Sequence, residues 1–296
     1  MLVYKEGREF LLLKSLRNKW RFGIEYGMLK DKGKMENGGK TMLDRRIGAQ
    51  YYTLREQIKT IEEFDDTCRQ VKEIGYKIVQ ISGCPLGAVE MKEVLDKYEL
   101  KCVLTHRGFD DFLNDLDEVI AYNKILGSEV CGIGSMPTRY RKTNEGVTEF
   151  IEGVNAVSPK LKEAGMYLGY HNHAFEFTKF DGKYVMDRLV EETDPETVVF
   201  IVDTYWVQIG GKDPAKFIKA LGERAQLIHF KDIKARPDNK TEMCEVGVGN
   251  LDWDEIIAAC DEAGAKWALV EQDDCMTAPI ECMKTSYDFL VMKGFC

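Results

Sequence analysis

The chain has 296 residues, 44% hydrophobic and 31% charged, the composition of a globular protein large enough for one sizeable core. Its net charge of −9 is uneven: residues 1–43 carry ten basic and five acidic side chains, the remainder 31 basic and 45 acidic. A body this acidic repels phosphate backbones, which excludes nucleic acid as an expected partner, and no apolar run approaches the roughly 20 residues of a membrane helix.

Residues 1–43 read as a basic N-terminal extension. The stretch DKGKMENGGK has no period able to bury a face, and residues 9–20 alone suggest a short amphipathic helix. Phe10-Leu11-Leu12-Leu13 is too short for a secretory core. The expectation is that Met42-Leu43-Asp44 is the natural start and that a single domain fills 44–296. The nine cysteines are scattered without a C-x-x-C pair, the usage of reduced thiols in a cytoplasmic protein.

From Arg46 onward, strand-like runs alternate with helical patterns. The strands are RIGAQYY, YKIVQIS, LKCVLTH, SEVCGIG, MYLGYHN, TVVFIVD, QLIHFKD and KWALVEQ. The helices fall near 60–74, 87–98, 110–126, 144–163, 181–192, 213–222, 253–263 and 278–292. Short apolar runs separated by amphipathic helices mark βα units with a parallel sheet. Asp213-Pro214 starts one helix, and Gly127, Gly165 and Gly264 fall where helices stop. Eight such units within 44–296 predict an α/β fold, a (β/α)8 TIM barrel. The first strand runs into Ala49-Gln50-Tyr51-Tyr52 with no GxGxxG, which argues against an open dinucleotide-binding sheet.

Four acid or imidazole residues sit at or just beyond the last four strands, and the strand ends of such a barrel converge on one face. They are Glu176, Asp203, His229 and Glu271. Asp203 closes the apolar run Val198 to Val202 and reads as a helix N-cap or a ligand. His229 and Lys231 share strand parity, with Phe230 opposite; alone, His229 reads equally as a core residue. Two carboxylates about 4 Å apart repel by roughly 4 kcal/mol at an effective dielectric near 20. Three in one barrel mouth need a cation or raised pKa values. An oxygen-rich set with one imidazole favours Mn²⁺, with Co²⁺, Mg²⁺ or Zn²⁺ as alternatives. Lys231 would offset leftover charge or grip a substrate oxygen.

His171 and His173 share parity and read as a structural pair or as the source of a general base. His106, ending the third strand, reads as a hydroxyl-binding or a structural residue. Tyr51, Phe109, Phe175 and Trp206 are candidate flat walls for a bound ring, or core. VGVGNLDW at 246–253 is a phosphate cradle or, as favoured, a turn into a helix capped by Asp252. The polar stretch 233–246 reads as a lid over the mouth.

The motifs YHNHAFEF (170–177), VDTYW (202–206), IHFKD (228–232), VGVGNLDW (246–253) and LVEQ (269–272) resemble the sugar isomerase/epimerase superfamily of xylose isomerase-like TIM barrels. That superfamily also holds inosose dehydratase and the endonuclease IV group. The HNH-x-FEF form resembles a branch that includes manganese-dependent epimerases and C-glycoside deglycosidases. The resemblance implies Asp203, His229 and Glu271 as metal ligands. Many relatives read Leu-Glu-Asn where this chain has Tyr170-His171-Asn172, so Glu176 is expected to supply the missing carboxylate, with His171 as the rival. Trp206 replaces a histidine of the trinuclear site in the endonuclease IV group, which argues against DNA cleavage.

The implied reaction is metal-dependent proton transfer next to a carbonyl of a sugar or polyol, through an enediolate. Glu176 and Glu271 would exchange the proton, assisted by His171 or His173, giving isomerisation or epimerisation. The alternatives are a lyase of inosose-dehydratase or keto-glycoside type, and a non-catalytic sugar-binding barrel or subunit of a heteromeric enzyme. Expected partners are a small carbohydrate and a further copy or partner subunit.

Overall fold

The computed structural model describes residues 43–296. The expectations for the N-terminal extension lie outside the described residues. Eight parallel strands close into a barrel: β1 Ile47–Gln50, β2 Ile78–Ile81, β3 Lys101–Arg107, β4 Val130–Ile133, β5 Tyr167–His171, β6 Val198–Asp203, β7 Ala225–Phe230 and β8 Trp267–Val270. Neighbours in the barrel follow chain order, and β1 closes it by pairing with both β2 and β8. Among the described residues no helix is long and apolar enough to cross a membrane.

The strands are short apolar runs because both of their faces are buried. Outward residues such as Phe200, Val202, Ile228, Phe230 and Val270 pack under the helices. Inward ones, including Ile78, Leu104, Val130, Val199, Ile201, Leu227 and Leu269, fill the barrel itself. Each such fully buried side chain contributes about 1.5–3 kcal/mol. Space inside is tight: a Cβ on Gly132 would lie 2.6 Å from His106 Cδ2, and one on Gly169 2.8 Å from Ile201 Cδ1.

One step further along most of the strands, toward the C-terminal end, the inward position turns polar. Leu227 is followed on its face by His229, Ile201 by Asp203, Gly169 by His171, Ile78 by Gln80 and Leu104 by His106. The residue after β8, Glu271, follows Leu269 in the same way. The apolar fill thus forms the floor beneath a polar layer.

Local chemistry starts and stops the surrounding helices. Thr60 and Glu63 form a capping box at the start of Ile61–Ile74, whose Phe64, Cys68 and Val71 face inward. Asp213 caps Pro214–Leu221 with proline in its first turn.

Three predicted segments differ. The helix near 110–126 is broken at Asp115, whose φ of −135° and ψ of 39° end Phe109–Asn114 before Leu116–Leu126 begins. The helix near 181–192 starts only at Val185, because Asp181 and Gly182, both with positive φ, form the turn of a small hairpin between Lys179–Phe180 and Lys183–Tyr184. The stretch read as a lid folds as a hairpin, Asp232–Ala235 against Thr241–Cys244. Its Ile233 and Met243 pack on Tyr205, with Trp206 and Leu251 against that cluster.

Candidate metal centre and substrate cavity

All four histidines of the chain meet at the barrel mouth. His171 and His229 have ring centroids 4.7 Å apart, and His106 lies 5.3 Å from the first and 5.8 Å from the second. One ligand atom from each of His171, Asp203, His229 and Glu271 can be chosen so that all lie within 4.8 Å of one another, and all four residues are buried.

The outer nitrogens of two histidines are pinned. His171 Nδ1 lies 3.0 Å from the Gly134 carbonyl oxygen and His229 Nε2 2.7 Å from Gln80 Oε1. The Gln80 amide is itself turned by donating from Nε2 to Ser82 Oγ. Both partners are acceptors, so a neutral imidazole carries its hydrogen on the outer nitrogen. The inner nitrogens then aim lone pairs at carboxylates, His171 Nε2 at Asp203 Oδ2 (3.4 Å) and His229 Nδ1 at Glu271 Oε2 (2.9 Å). Acceptor facing acceptor at that range needs a proton or a cation between them. Burial keeps the His229 pKa below its ordinary value, whereas at His171 burial is outweighed by Asp203 and Glu271, which raise it.

Asp203 is both things its position allows. Its Oδ1 accepts from the Trp206 backbone N–H and caps the helix Thr204–Ile209, while Oδ2 faces the cluster. Lys231 is buried with Nζ 3.4 Å from Asp203, 3.5 Å from Glu271 and 2.8 Å from Asp273. Burial opposes its charge, yet these three carboxylates hold it above the usual lysine range. Burial likewise opposes the Glu271 charge, but Lys231 and His229 keep that carboxyl well below its usual range. Three carboxylates against one ammonium leave two negative charges in excess, which a divalent cation cancels. Two imidazole and two carboxylate donors with an open side suit Mn²⁺, Co²⁺ or Zn²⁺. The residues present therefore fit a metal ion.

Above this group opens a cavity of about 300 Å³ lined by Tyr52, Ser82, Gly134, Ser135, Trp206 and Asp273, together with His106, His171, His173, Lys231 and Glu271. His106 Nε2, His173 Nδ1, Trp206 Nε1 and Asp273 Oδ1 are buried there without a hydrogen-bond partner. Burial among other imidazoles drives the His106 pKa far down, and burial next to His171 lowers His173 to about 3, so both are neutral. Burial and the Glu271 charge push Asp273 up to about 6.

Several sequence expectations are corrected by this geometry. Glu176 is not in the cluster: its carboxylate accepts from Tyr170 Oη at 2.7 Å and the His173 backbone N–H at 2.8 Å, and burial raises its pKa to about 7. It braces the turn after β5, and His171 stands in the cluster instead. Tyr51 is core, its ring against Phe64 and its hydroxyl on Cys68. The strand ends at Gln50, and from the 3-10 helix Tyr51–Gln57 that follows, Tyr52 reaches the cavity. Phe109 packs against Phe150 and Tyr140. Phe175 stacks on His173 behind the cavity wall. The glycine-rich loop takes its favoured reading, a turn into the helix Trp253–Ala263 capped by Asp252, with its N–H groups wrapped around the Asp232 carboxylate. Gln80 and Asp273 were missed. The signal for Gln80 was a glutamine inside an apolar strand, and that for Asp273 an acid two residues beyond Glu271.

A family model described as xylose isomerase-like TIM barrel matches residues 68–290. The chain belongs to the xylose isomerase-like TIM-barrel family. This xylose isomerase-like barrel is 28% identical over 191 residues to an inosose dehydratase of Geobacillus thermodenitrificans, covering 58% of this chain and 63% of that protein, less than two thirds of its length. It is 29% identical over 256 residues to an inosose dehydratase of Lacticaseibacillus casei, covering 74% of this chain and 85% of that one. A solved sugar phosphate isomerase/epimerase from Parabacteroides distasonis shares the fold with a TM-score of 0.72 at 19% identity, covering 86% of this chain and 95% of that chain.

Proposed function

We propose that this barrel is a metal-dependent enzyme that moves a proton at the carbon beside a carbonyl of a keto-sugar or related polyol. The observation that carries the reading is the pair of histidine lone pairs aimed at two carboxylate oxygens on the floor of a cavity lined with unpartnered polar atoms. His171, Asp203, His229 and Glu271 would hold the ion. A divalent cation bound there supplies Lewis acidity to a carbonyl oxygen, which acidifies the neighbouring C–H.

The chain's own groups divide the remaining work. Lys231, held protonated, donates to an oxygen that gains negative charge. Asp273, with one oxygen on Lys231 and the other unpartnered toward the cavity, suits proton removal near neutral pH. His106, His173 and Trp206 offer neutral donors and acceptors to ring or chain hydroxyls. Glu176 acts through the turn that carries His171 and His173, without touching substrate. Return of the proton to the neighbouring carbon, with the hydroxyl proton passing to the former carbonyl oxygen, gives isomerisation, and return to the same carbon from the other face gives epimerisation.

A second reading is elimination, favoured by the inosose dehydratase relatives. There the C–H bond breaks as before, the adjacent C–O bond breaks, and proton and hydroxide leave as water. The test is incubation with Mn²⁺ and a panel of ketopentoses, ketohexoses and an inosose in D₂O, read by NMR and mass spectrometry. Deuterium uptake without loss of water is the expected result. Loss of one water establishes elimination, and sugar binding without exchange would support a non-catalytic barrel.

A further inference from the structure

Beside the cavity, in contact with its Ser135, lies a cation that the proposed proton transfer does not use. Arg141 lies in the loop after β4 and is half-buried. Among the described residues its buried Nε has no acceptor, and its one polar contact is a long one, Nη2 to Ser135 Oγ at 3.5 Å. Each other described arginine donates to a carboxylate or a backbone carbonyl. Arg139, two residues earlier, is paired with Asp110, and Arg107 with Asp111. Arg55, across the mouth, donates to the carbonyls of Tyr52 and Asp273. The buried Nε–H donor left unmade is costly unless a ligand completes it.

The guanidinium is also held in place. It packs 4.0 Å from the centroid of the Phe175 ring, which stacks on His173 of the cavity wall. Met136 and Tyr140, both buried, anchor the loop just before Arg141. Ser135 lines the cavity, and its neighbour Gly134 supplies the carbonyl that orients His171.

We propose that Arg141 and Ser135 form an anion subsite, which takes a carboxylate or phosphate borne by the substrate at the end away from its reacting carbonyl. A guanidinium with a neighbouring hydroxyl matches the oxygens of either group. The location of the rest of the substrate rests on the proton-transfer reading above. The subsite therefore narrows the substrate class to acidic sugar derivatives.

Calorimetric titration of the protein as isolated with D-fructose, D-fructose 6-phosphate and D-fructuronate tests this, using wild type, Arg141→Gln and Arg141→Lys. One of the two anions should bind wild type about tenfold or more tightly than D-fructose. Arg141→Gln should abolish that gap while leaving D-fructose affinity within about twofold, and Arg141→Lys should keep part of it. Whether phosphate or carboxylate wins names the group. Inorganic phosphate is the sugar-free probe: weaker binding to Arg141→Gln than to wild type supports the subsite even if no sugar binds, so the polyol reading can fail alone. An anion preference that persists in Arg141→Gln overturns the proposal. So does the absence of any preference together with inorganic phosphate binding both proteins equally or neither.

Discussion

Asp232 and the Asp203–Glu271 pair are all withdrawn from solvent, at 0%, 0% and 4% exposure, and they are satisfied in opposite ways. Asp232 accepts from the backbone N–H groups of Ile233 and Leu251 at Oδ1, and from Gly247, Gly249 and the Trp253 indole at Oδ2. Every one of these donors is neutral, and the loop closes so tightly that a Cβ on Gly249 would lie 2.3 Å from Asp232 Oδ1. Asp203 Oδ2 and Glu271 Oε2 instead face imidazole nitrogens whose hydrogens point away, with Lys231 as the one shared cation. A buried carboxylate surrounded by neutral donors is finished by the fold. One surrounded by other acceptors requires an ion, and that difference separates an architectural acid from a ligand.

The contrast breaks most visibly at Lys231. Lys231→Met leaves three carboxylates facing one another and should cost about 3–5 kcal/mol in metal-free protein, partly recovered on adding Mn²⁺. Urea unfolding with and without the ion reads both effects, and an unchanged midpoint would mean that the cluster is not charge-strained. Asp232→Ala strands donors that no ion can satisfy. It should cost about 1–3 kcal/mol with the metal bound per chain unchanged, and loss of metal in this variant would blur the distinction between the two sites. Gln80→Leu removes the acceptor that orients His229. Metal affinity should fall by about 10–100-fold in competition with a fluorescent chelator, and unaltered affinity would show that the amide does not set the tautomer.

Glu176 offers a smaller test through pH. Burial raises its pKa from 4.5 to about 7, so between those values the folded chain keeps a proton that the unfolded chain releases. Its stabilising contribution is complete below the unfolded value and is lost as pH rises through the folded one. From about pH 5 to about pH 8, wild type should lose stability relative to Glu176→Gln, by a slope of up to about one proton. Parallel pH profiles would contradict the buried, non-ligand role.

Much of this was legible because a parallel barrel writes its strands as unbroken apolar runs. A polar residue that ends such a run, like Asp203, His229 or Glu271, is conspicuous, and the structure brings these three to one point. The fifth strand was harder. Parity alone puts His171 inward after Gly169, but a glutamate five residues on lies in a 3-10 turn where strand parity no longer applies. The choice of Tyr51 over Tyr52 failed for the same reason, since both lie past the end of β1 in the 3-10 helix Tyr51–Gln57. Arg141 left no sequence signal, because an unpartnered guanidinium is defined by what surrounds it in space.

The most direct measurement is the metal content of extensively dialysed protein by ICP-MS, for wild type, Asp203→Asn, His171→Gln and Glu176→Gln. The site as described predicts about one Mn, Co or Zn per chain in wild type and in Glu176→Gln, and loss of most of it in the other two. No metal in wild type together with no thermal shift on adding Mn²⁺ or Co²⁺, or metal lost from Glu176→Gln and kept by His171→Gln, would contradict it.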